Sequence, residues 1–449
     1  MPEKLFGTDG VRGVANTELT PALAFALGIA AARVLGQSHT PTFVIGRDTR
    51  ISGTLLEAAL SAGVCSMGGL IVSPGVVPTP AIASMTRSGG FDAGIVISAS
   101  HNPFSDNGIK LFGPDGYKLD DRIEAEIEAL VPVASTLTGP AGNAVGHIRR
   151  DPGLRNLYAD HVKETMGSIR LDGLKIVLDA AHGANHLLAP RVMADLGADV
   201  VSINCTPDGI NINAGCGSLH PKEMQARTVA ERADIGMAFD GDADRVIFSD
   251  EKGRLVDGDR VMLLVGRHMQ TRGELTGDVV VGTIMSNMGL EVALRECGIA
   301  LVRAAVGDRY VSEIMRRDGY ALGGEKSGHL IFGHLTTTGD GLLTALQVLK
   351  VMRETQMTLF ALADQMREYP QVLLGVRVRD RNSWRDDADI TKAIAGAEEV
   401  LDGRGRVNVR ASGTEKLVRV MTEGPDAGEI DSIAREIARL IERKYGVES

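Results

Sequence analysis

Phe43-Val44-Ile45 begins a segment in which a hydrophobic strand is followed by a small-residue loop and an amphipathic helix that runs from Thr54 to Gly63. The same order returns at Ile176-Val177-Leu178 and at Val279-Val280-Val281. The copies lie roughly a hundred residues apart, which is the size of a small domain. Strands that alternate with helices in this way are typical of α/β layers. The pattern therefore predicts three related α/β domains.

A second hydrophobic strand occurs farther into each copy and ends at a cluster of polar residues. These strands and clusters are Gly94 to Ile97 at Ser100, Ile235 to Phe239 at Asp240, and Tyr320 to Leu322 at Glu325. Loops at the carboxyl ends of strands are the usual ligand-binding positions in α/β sheets. We therefore expect the three domains to contribute different chemical groups to one central cleft.

The last part of the chain, from about Tyr369, has a different character. Strands near residues 372–378 and around Arg410, with helices near residues 389–401 and from Ala427, predict a smaller α+β domain. The predicted domain boundaries are 1–153 for the domain that contains Ser100, 154–254 for the domain of Asp240, 255–368 for the domain of Glu325, and 369–449 for the domain of Arg410.

Composition excludes several classes of protein. The chain has 449 residues, 44% of them hydrophobic, which is enough for three or four cores. Its formal charge of -10 and the absence of long basic runs argue against a nucleic-acid or anionic-membrane partner. No membrane-span-length apolar stretch or signal-peptide core is evident, so we expect a cytoplasmic protein. The spacing of the 4 cysteines fits reduced thiols rather than a metal or disulfide framework.

Three carboxylates alternate in Asp240-Gly241-Asp242-Ala243-Asp244-Arg245, where a strand gives way to a loop. Side chains at alternate extended positions share one face, and convergent carboxylates repel one another unless a cation binds them. Hard oxygen ligands favour magnesium or calcium over zinc. A calcium-binding helix-loop-helix is excluded because Arg245 occupies the position that needs glycine and strands flank the loop. A solvated acidic turn remains the alternative.

Three further clusters carry candidate chemistry. Ser98-Ala99-Ser100-His101-Asn102-Pro103 ends a strand and is expected to present Ser100 at an exposed turn. Gly323-Gly324-Glu325-Lys326-Ser327-Gly328-His329 permits close backbone approach to a ligand. Arg410-Ala411-Ser412-Gly413-Thr414-Glu415-Lys416 combines a guanidinium with hydroxyls, a combination suited to phosphate. Each cluster taken alone also fits an ordinary turn or a surface arginine.

Taken in order, these four loops resemble the signature loops of the α-D-phosphohexomutases, and the resemblance covers essentially the whole chain. Further matching segments are Gly7-Thr8-Asp9-Gly10-Val11-Arg12-Gly13, Asp106-Asn107-Gly108-Ile109-Lys110, Cys216-Gly217-Ser218-Leu219-His220-Pro221 and Thr336-Thr337-Thr338-Gly339-Asp340-Gly341. The resemblance implies a phosphoserine at Ser100 and one magnesium ion per subunit. It assigns the metal ligands to Ser100, Asp240, Asp242 and Asp244.

The resemblance also implies the remaining site residues. It places Arg12, His101 and Lys110 near the transferring phosphoryl group, where Arg12 neutralises charge and either His101 or Lys110 moves protons. Substrate contacts fall to Arg245, Glu325, Ser327, His329, Arg410, Ser412, Gly413, Thr414 and Arg419.

The implied activity is interconversion of glucosamine 6-phosphate and glucosamine 1-phosphate through a sugar 1,6-bisphosphate, which supplies amino-sugar nucleotides and cell-wall precursors. Action on glucose or mannose phosphates is the nearest alternative. A sugar-phosphate phosphatase and a noncatalytic sugar-phosphate binder are the alternatives from other classes. The expected partner is a small sugar phosphate, with no nucleic acid or membrane, and a homodimer remains open.

Overall fold

The computed structural model describes residues 5–7, 9–36, 39–380, 382–412 and 417–447. The chain divides into two compact units. The first consists of Met1–Thr283 and Val302–Asp364, and the second consists of Ile284–Leu301 and Gln365–Ser449. Cys65, Cys205, Cys216 and Cys297 are free thiols, as the spacing predicts. Within the described ranges, no helix is long and apolar enough to cross a membrane.

The first sheet has the strand order β1-β5-β4-β2-β3-β6. Its elements are β1 (Val11–Val14), α1 (Pro21–Leu35), β2 (Thr42–Arg47), α2 (Gly53–Ser66), β3 (Leu70–Val76), α3 (Thr79–Gly89), β4 (Ala93–Ile97), β5 (Asp106–Phe112), α4 (Asp121–Leu130) and β6 (Ile148–Arg150). Strand β2 runs parallel to β3 and β4, whereas β5 is antiparallel to β1 and β4. Strand β4 is buried at every residue, as a continuous apolar run predicts for a central strand.

The second sheet has the order β11-β10-β9-β7-β8. Its elements are α5 (Leu154–Glu164), β7 (Lys175–Asp179), α6 (Leu188–Asp195), β8 (Asp199–Ile203), α7 (Lys222–Ala230), β9 (Ile235–Phe239), β10 (Val246–Asp250) and β11 (Leu255–Val256). Strand β7 runs parallel to β8 and β9, and β10 folds back antiparallel to β9.

The third sheet has the order β13-β12-β14-β15. The elements of this part of the chain are α8 (Gly258–Thr271), β12 (Val279–Thr283), α9 (Met288–Glu296), β13 (Ala300–Ala304), α10 (Asp308–Asp318), β14 (Leu322–Gly324), β15 (Leu330–Phe332), α11 (Gly341–Thr355) and α12 (Leu359–Ala363). Strand β12 is parallel to β14, and β15 is antiparallel to β14.

The three sheets therefore share one local arrangement, in which a central strand lies parallel to the first strand of a hairpin. The hairpins are β4–β5, β9–β10 and β14–β15. Their connecting loops contain Ser100, Asp240 and Glu325 respectively. The repeat that the sequence predicts is therefore present as three loops at equivalent positions of the three sheets, each with a different functional side chain.

The second unit contains a three-stranded antiparallel sheet with the order β16-β18-β17. Its elements besides α9 are β16 (Gln371–Arg377), α13 (Ala388–Leu401), β17 (Arg406–Ala411), β18 (Leu417–Glu423) and α14 (Ala427–Tyr445). Helix α14 begins at Asp426, whose carboxylate accepts hydrogen bonds from the backbone N–H groups of Gly428 and Glu429. Residues 284–301 belong to this unit through bonds such as that from the Met288 N–H to Glu423, at 2.8 Å.

Candidate active site

The loop after β4 holds Ser100 in a constrained conformation. Ser100 has a φ of 51°, in the left-handed region that non-glycine residues rarely adopt. Its backbone N–H donates to the Ser98 hydroxyl at 3.0 Å, and that hydroxyl donates to Asp48 at 2.5 Å. Ser100 is only 1% exposed, so the expectation of an exposed serine is wrong. The reason is that the loop is covered by the aspartate loop of the second sheet.

The side chain of Arg50 holds the backbone of this loop in place through hydrogen bonds. Its side chain is fully buried, and its Nε donates to the carboxylate of Asp48 at 2.8 Å. Its two terminal nitrogens donate to four backbone carbonyl oxygens, those of Ser100, Asn102 and Pro103 in the loop and that of Asp106 at the start of β5. Sequence reasoning missed Arg50. The signal available was the short polar run Asp48-Thr49-Arg50 directly after β2, a strand adjacent to β4.

The aspartate loop joins β9 to β10 and brings three buried carboxylates together. One oxygen of each of Asp240, Asp242 and Asp244 lies within 4.8 Å of the others. The convergence comes from a turn in which Ala243 has a φ of 59°, rather than from the extended backbone that the alternation suggested. A Cβ at Gly241 would lie 2.6 Å from the Ser100 carbonyl oxygen, so glycine permits the two loops to touch.

The carboxylate cluster fits a hard divalent cation. Asp242 Oδ1 and Asp244 Oδ1 are buried and have no hydrogen-bond partner among the residues that the structure describes. Burial, followed by repulsion from Asp244 and Asp242, raises the pKa of Asp240 well above its usual range. Buried polar atoms are normally satisfied, and a cation at this point would satisfy the free oxygens and relieve the repulsion. These observations disfavour a solvated acidic turn, because Asp240, Asp242 and Asp244 are at most 6% exposed.

Ser100 and His101 contact the aspartate loop directly. The Ser100 hydroxyl donates to Asp240 Oδ2 at 2.7 Å and lies 3.2 Å from His101 Nδ1. Arg245 Nη1 also lies 3.2 Å from His101 Nδ1. Burial, and then the positive charges of Arg245 and Arg12, lower the pKa of His101 to about 4. His101 is therefore neutral at pH 7, and because Arg245 can only donate, His101 Nδ1 is its acceptor.

Two predicted cations lie on the strands next to Ser100. Lys110, on β5, is 2% exposed and pairs with Asp242 at 2.9 Å and with Asp9 at 3.3 Å. Burial opposes its charge, but Asp242 and Asp9 outweigh burial and raise the pKa of Lys110, so Lys110 is a cation at this site. Arg12, on β1, pairs with Asp9, and its buried Nε has no partner in the described chain. Both residues bring positive charge to the loop of Ser100.

A chain of alternating charges continues from Asp9 to the third sheet. Lys118 Nζ lies 2.7 Å from carboxylate oxygens of both Asp9 and Asp308. The ring nitrogens of His329 lie 3.5 Å from Asp244 and 3.9 Å from Asp308. Burial opposes the charge of His329, but Asp244 and then Asp308 raise its pKa. Sequence reasoning missed Asp9, Lys118 and Asp308 as functional residues, and no local motif around Lys118 or Asp308 marks them.

The glutamate loop between β14 and β15 is anchored to the end of the aspartate loop. The Val246 N–H donates to the Gly328 carbonyl oxygen at 3.1 Å, which places the two loops side by side. Glu325 accepts from the Gly307 N–H at 3.1 Å and from the exposed Ser327 hydroxyl at 3.4 Å. His329 is 1% exposed and supports Asp244. The sugar-binding role of these three residues stays a prediction.

The second unit presents the predicted arginine pair. Arg410, on β17, is the register partner of Arg419, on β18, so both side chains lie on one face of the sheet. Burial, and then the charge of Arg419, lower the pKa of Arg410. Like charges placed opposite each other favour a bound anion. Ser412 is only 3% exposed. Gly413 and Thr414 lie outside the described residues.

Four family models match successive parts of the chain. They are phosphoglucomutase/phosphomannomutase alpha/beta/alpha domain I at residues 3–136, domain II at 156–253, domain III at 257–369, and the C-terminal domain at 373–440. These matches confirm the predicted fold class of three α/β domains and a smaller C-terminal domain.

Full-length relatives agree with these matches. The chain is 54% identical over 439 residues to the phosphoglucosamine mutase of Desulforudis audaxviator, with 97% of each chain covered. A phosphoglucomutase/phosphomannomutase family protein from Burkholderia thailandensis superposes with a TM-score of 0.84 at 26% identity, covering 99% of this chain and 98% of that chain. The Aspergillus fumigatus N-acetylphosphoglucosamine mutase, solved with GlcNAc-6P and magnesium, has a TM-score of 0.69 at 18% identity, covering 98% of this chain and 95% of that chain.

Proposed function

The chain belongs to the phosphoglucomutase/phosphomannomutase family, and on that basis we propose that it interconverts glucosamine 6-phosphate and glucosamine 1-phosphate through a phosphoserine at Ser100. One observation carries the proposal: the Ser100 hydroxyl lies 2.7 Å from one of three clustered, buried carboxylates. The choice of glucosamine is supported by the name of the 54% identical relative, which covers 97% of this chain.

The reaction consists of two successive phosphoryl transfers, one from Ser100 to the sugar and one from the sugar back to Ser100. In the first half, the bond between phosphorus and Ser100 Oγ breaks, a bond from phosphorus to the sugar O1 forms, and the O1 proton passes to Ser100 Oγ. In the second half, the bond from phosphorus to the sugar O6 breaks, Ser100 Oγ takes the phosphoryl group, and the serine proton passes to O6. Such transfers depend chiefly on alignment and on neutralising charge on the phosphoryl oxygens.

The described residues provide both the alignment and the charge neutralisation that phosphoryl transfer requires. Arg50 and Ser98 hold the Ser100 loop in one position, and Lys110 and Arg12 bring positive charge to it. The acceptor within reach of the Ser100 proton is Asp240 Oδ2, at 2.7 Å, because His101 Nδ1, 3.2 Å from the same hydroxyl, already accepts from Arg245. Lys110 is a cation in this arrangement and so fits charge neutralisation better than the role of a base.

Asp240, Asp242 and Asp244 would hold magnesium, which when bound supplies a Lewis acid next to Ser100. The N-acetylphosphoglucosamine mutase of Aspergillus fumigatus was solved with magnesium and GlcNAc-6P, which supports this cofactor and this substrate class. The phosphate that is not transferred would bind Arg410 and Arg419, and sugar hydroxyls would bind Glu325 and Ser327. A bisphosphate activator, the four domain boundaries and a cytoplasmic location remain part of the same proposal.

The test is direct product analysis. Purified protein is incubated with glucosamine 6-phosphate, magnesium and a trace of sugar 1,6-bisphosphate, and the products are resolved by phosphorus NMR. We expect glucosamine 1-phosphate, with slower conversion of glucose and mannose phosphates and no net release of inorganic phosphate. Release of phosphate as the main product would instead identify a phosphatase, and the absence of any product would identify a binder.

Ser100→Ala and Ser105→Ala form a matched pair for the phosphoserine. Both serines lie in the β4–β5 loop, but Ser105 is exposed and its hydroxyl donates to the neighbouring Asp106 at 3.3 Å. We expect Ser100→Ala to abolish turnover and to lose one phosphate by intact-mass spectrometry, while Ser105→Ala keeps both. Isomerisation at the wild-type rate by Ser100→Ala would disprove the phosphoserine route.

A further inference from the structure

A second polar cavity lies in the first unit, outside the candidate active site. Its volume is about 380 Å³, within the range of small-molecule sites. It lies at the carboxyl ends of β2 and β3, between the first three turns of α2 and the segment that runs from β6 into the start of α5. Within the sheet, β2 separates β3 from β4, the strand that leads to Ser100.

The cavity carries an excess of positive charge. Three guanidinium groups line it, those of Arg47, Arg150 and Arg155, against the single carboxylate of Glu57. Glu57 pairs with Arg47 at 2.8 Å and accepts from the Ser73 hydroxyl at 2.6 Å, so both of its oxygens are occupied. Among the described residues, no carboxylate forms an ion pair with Arg150 or Arg155. Two positive charges are therefore left without a counter-charge.

The fold makes room for one of these guanidinium groups. Gly75 has a φ of 82°, and a Cβ there would lie 2.7 Å from Arg155 Nη2. Arg155 Nε donates to the Pro74 carbonyl oxygen at 2.7 Å, which holds the side chain against the strand end. Burial, and then repulsion from Arg47, lower the pKa of Arg155. The chain thus keeps two cations close together at the end of β3.

A buried hydroxyl completes the lining. Ser61, on α2, is 1% exposed, and its hydroxyl oxygen has no hydrogen-bond partner in the described part of the chain. A helical serine usually donates to the carbonyl oxygen four residues earlier when it lacks another partner. A buried hydroxyl that makes no bond costs free energy unless a ligand or a water molecule satisfies it. Ser61 is therefore a second, independent indication of a ligand.

We propose that this cavity binds a small phosphomonoester of the sugar-phosphate class. The two uncompensated guanidinium groups match the charge of a phosphate dianion, for which arginine is well suited. The hydroxyls of Thr54, Ser61 and Ser73 line the cavity and can bind sugar hydroxyls, and none of the lining side chains is aromatic, which disfavours a nucleobase. The cavity has no aspartate cluster, so its occupant is bound and not turned over. The proposal does not depend on the proposed mutase activity.

This second cavity lies next to the residues that hold the Ser100 loop in position. Arg47 precedes Asp48, and its Nη1 lies 3.4 Å from the Asp48 carbonyl oxygen. Asp48 in turn holds Arg50 and the Ser98 hydroxyl. A ligand at the cavity therefore binds one residue away from the carboxylate that orders the Ser100 loop.

The test is a residue-by-residue footprint of the arginines. The full-length protein is treated with phenylglyoxal, and peptide mass spectrometry follows the modification of each arginine with and without glucosamine 6-phosphate or inorganic phosphate. We expect the modification of Arg150 and Arg155 to slow about tenfold when the sugar phosphate is at ten times its Kd. Arg149 is the internal control, because it alternates with Arg150 on β6, is 63% exposed and lies 3.7 Å from Asp151.

Two variants separate this site from the active site. Arg150→Ala should weaken the protection of Arg155 without changing the protection of Arg12, and Arg149→Ala should change neither. Equal modification of Arg150 and Arg155 with and without ligand would overturn the proposal. Protection of Arg155 that survives Arg150→Ala unchanged would do the same. Protection by inorganic phosphate alone would refute the sugar-phosphate class.

Discussion

Replacing Arg50 by lysine tests whether the shape of the Ser100 loop depends on a guanidinium. The side chain of Arg50 is fully buried and makes five hydrogen bonds, one to Asp48 and four to backbone carbonyl oxygens of the loop and the first residue of β5. Lysine keeps the positive charge but has only three donors, so at least two of these bonds are lost. At about 1.5–3 kcal/mol for each charge-assisted bond, the loss amounts to about 3–6 kcal/mol.

The expected result is a large loss of kcat with a smaller change in KM. Arg50 contacts no residue assigned to the sugar, so binding should change little, whereas a shift of about 1 Å at Ser100 can slow transfer roughly 100-fold. Stability is followed by calorimetry of the full-length protein. A lower melting temperature should accompany the loss of kcat.

Arg33→Lys is the matched control, because Arg33 is exposed in the last turn of α1. It should keep both the kcat and the melting temperature of the wild type. If Arg50→Lys isomerised sugar phosphate at the wild-type rate, the conformation of the Ser100 loop would not depend on the several donors of the guanidinium group. A rise in KM with kcat unchanged would also refute the reasoning, because it would place Arg50 in binding instead of positioning.

Three further changes test other parts of the molecule. Asp242→Asn should weaken magnesium binding at least about tenfold in calorimetric titration, since it removes a charge from the cluster; unchanged binding would exclude Asp242 as a ligand. Arg410→Ala should lower kcat/KM about tenfold or more while Ser100 still becomes phosphorylated, whereas exposed Arg404→Ala should not. The pKa of Asp340 is raised to about 6 by burial, so its contribution to stability is present below pH 4 and is lost as the pH rises through 6. Asp340→Asn should remove this pH-dependent loss of stability. The melting temperature of the variant minus that of the wild type should therefore increase between pH 4 and pH 7, and a difference that stays constant would contradict the raised pKa of Asp340.

The elements that sequence reasoning predicted well are those that depend on short, continuous patterns. Strands β4 and β9 are apolar runs of 5 residues, buried throughout, and each ends where its polar cluster begins. The same holds for the helices α13 and α14 of the second unit, which begin at aspartate caps. Local pattern was sufficient in these cases because burial and capping are decided within a few residues.

The burial of Ser100 could not be predicted, because it depends on a contact between residues 140 positions apart. A polar turn after a strand is ordinarily exposed, and only the packing of the Asp240 loop against it reverses that expectation. Arg50 presents the same difficulty, since its four carbonyl partners lie 50 to 56 residues away. An isolated arginine after a strand has the same sequence signal whether it is buried or solvated.

The aspartate loop shows a partial success. The chemistry of three carboxylates was evident from their spacing, but the backbone that unites them is a turn with Ala243 in the left-handed region. Ordinary propensities disfavour alanine there, so strain at this position is maintained by the surrounding contacts. Local rules fail most often at such functional positions.

The alternating charges of Lys110, Asp9, Lys118, Asp308 and His329 have a consequence for protein engineering. With Asp242 at one end and Asp244 at the other, they form a series of ion pairs that draws on all three α/β domains. Three of these ion pairs join different domains, Lys110–Asp242, Lys118–Asp308 and His329–Asp244, so a chimaera that exchanges one domain with a distant relative would inherit half of each pair that crosses its boundary. Compatibility between donors of modules should therefore follow the match of a few charged positions more closely than overall sequence identity.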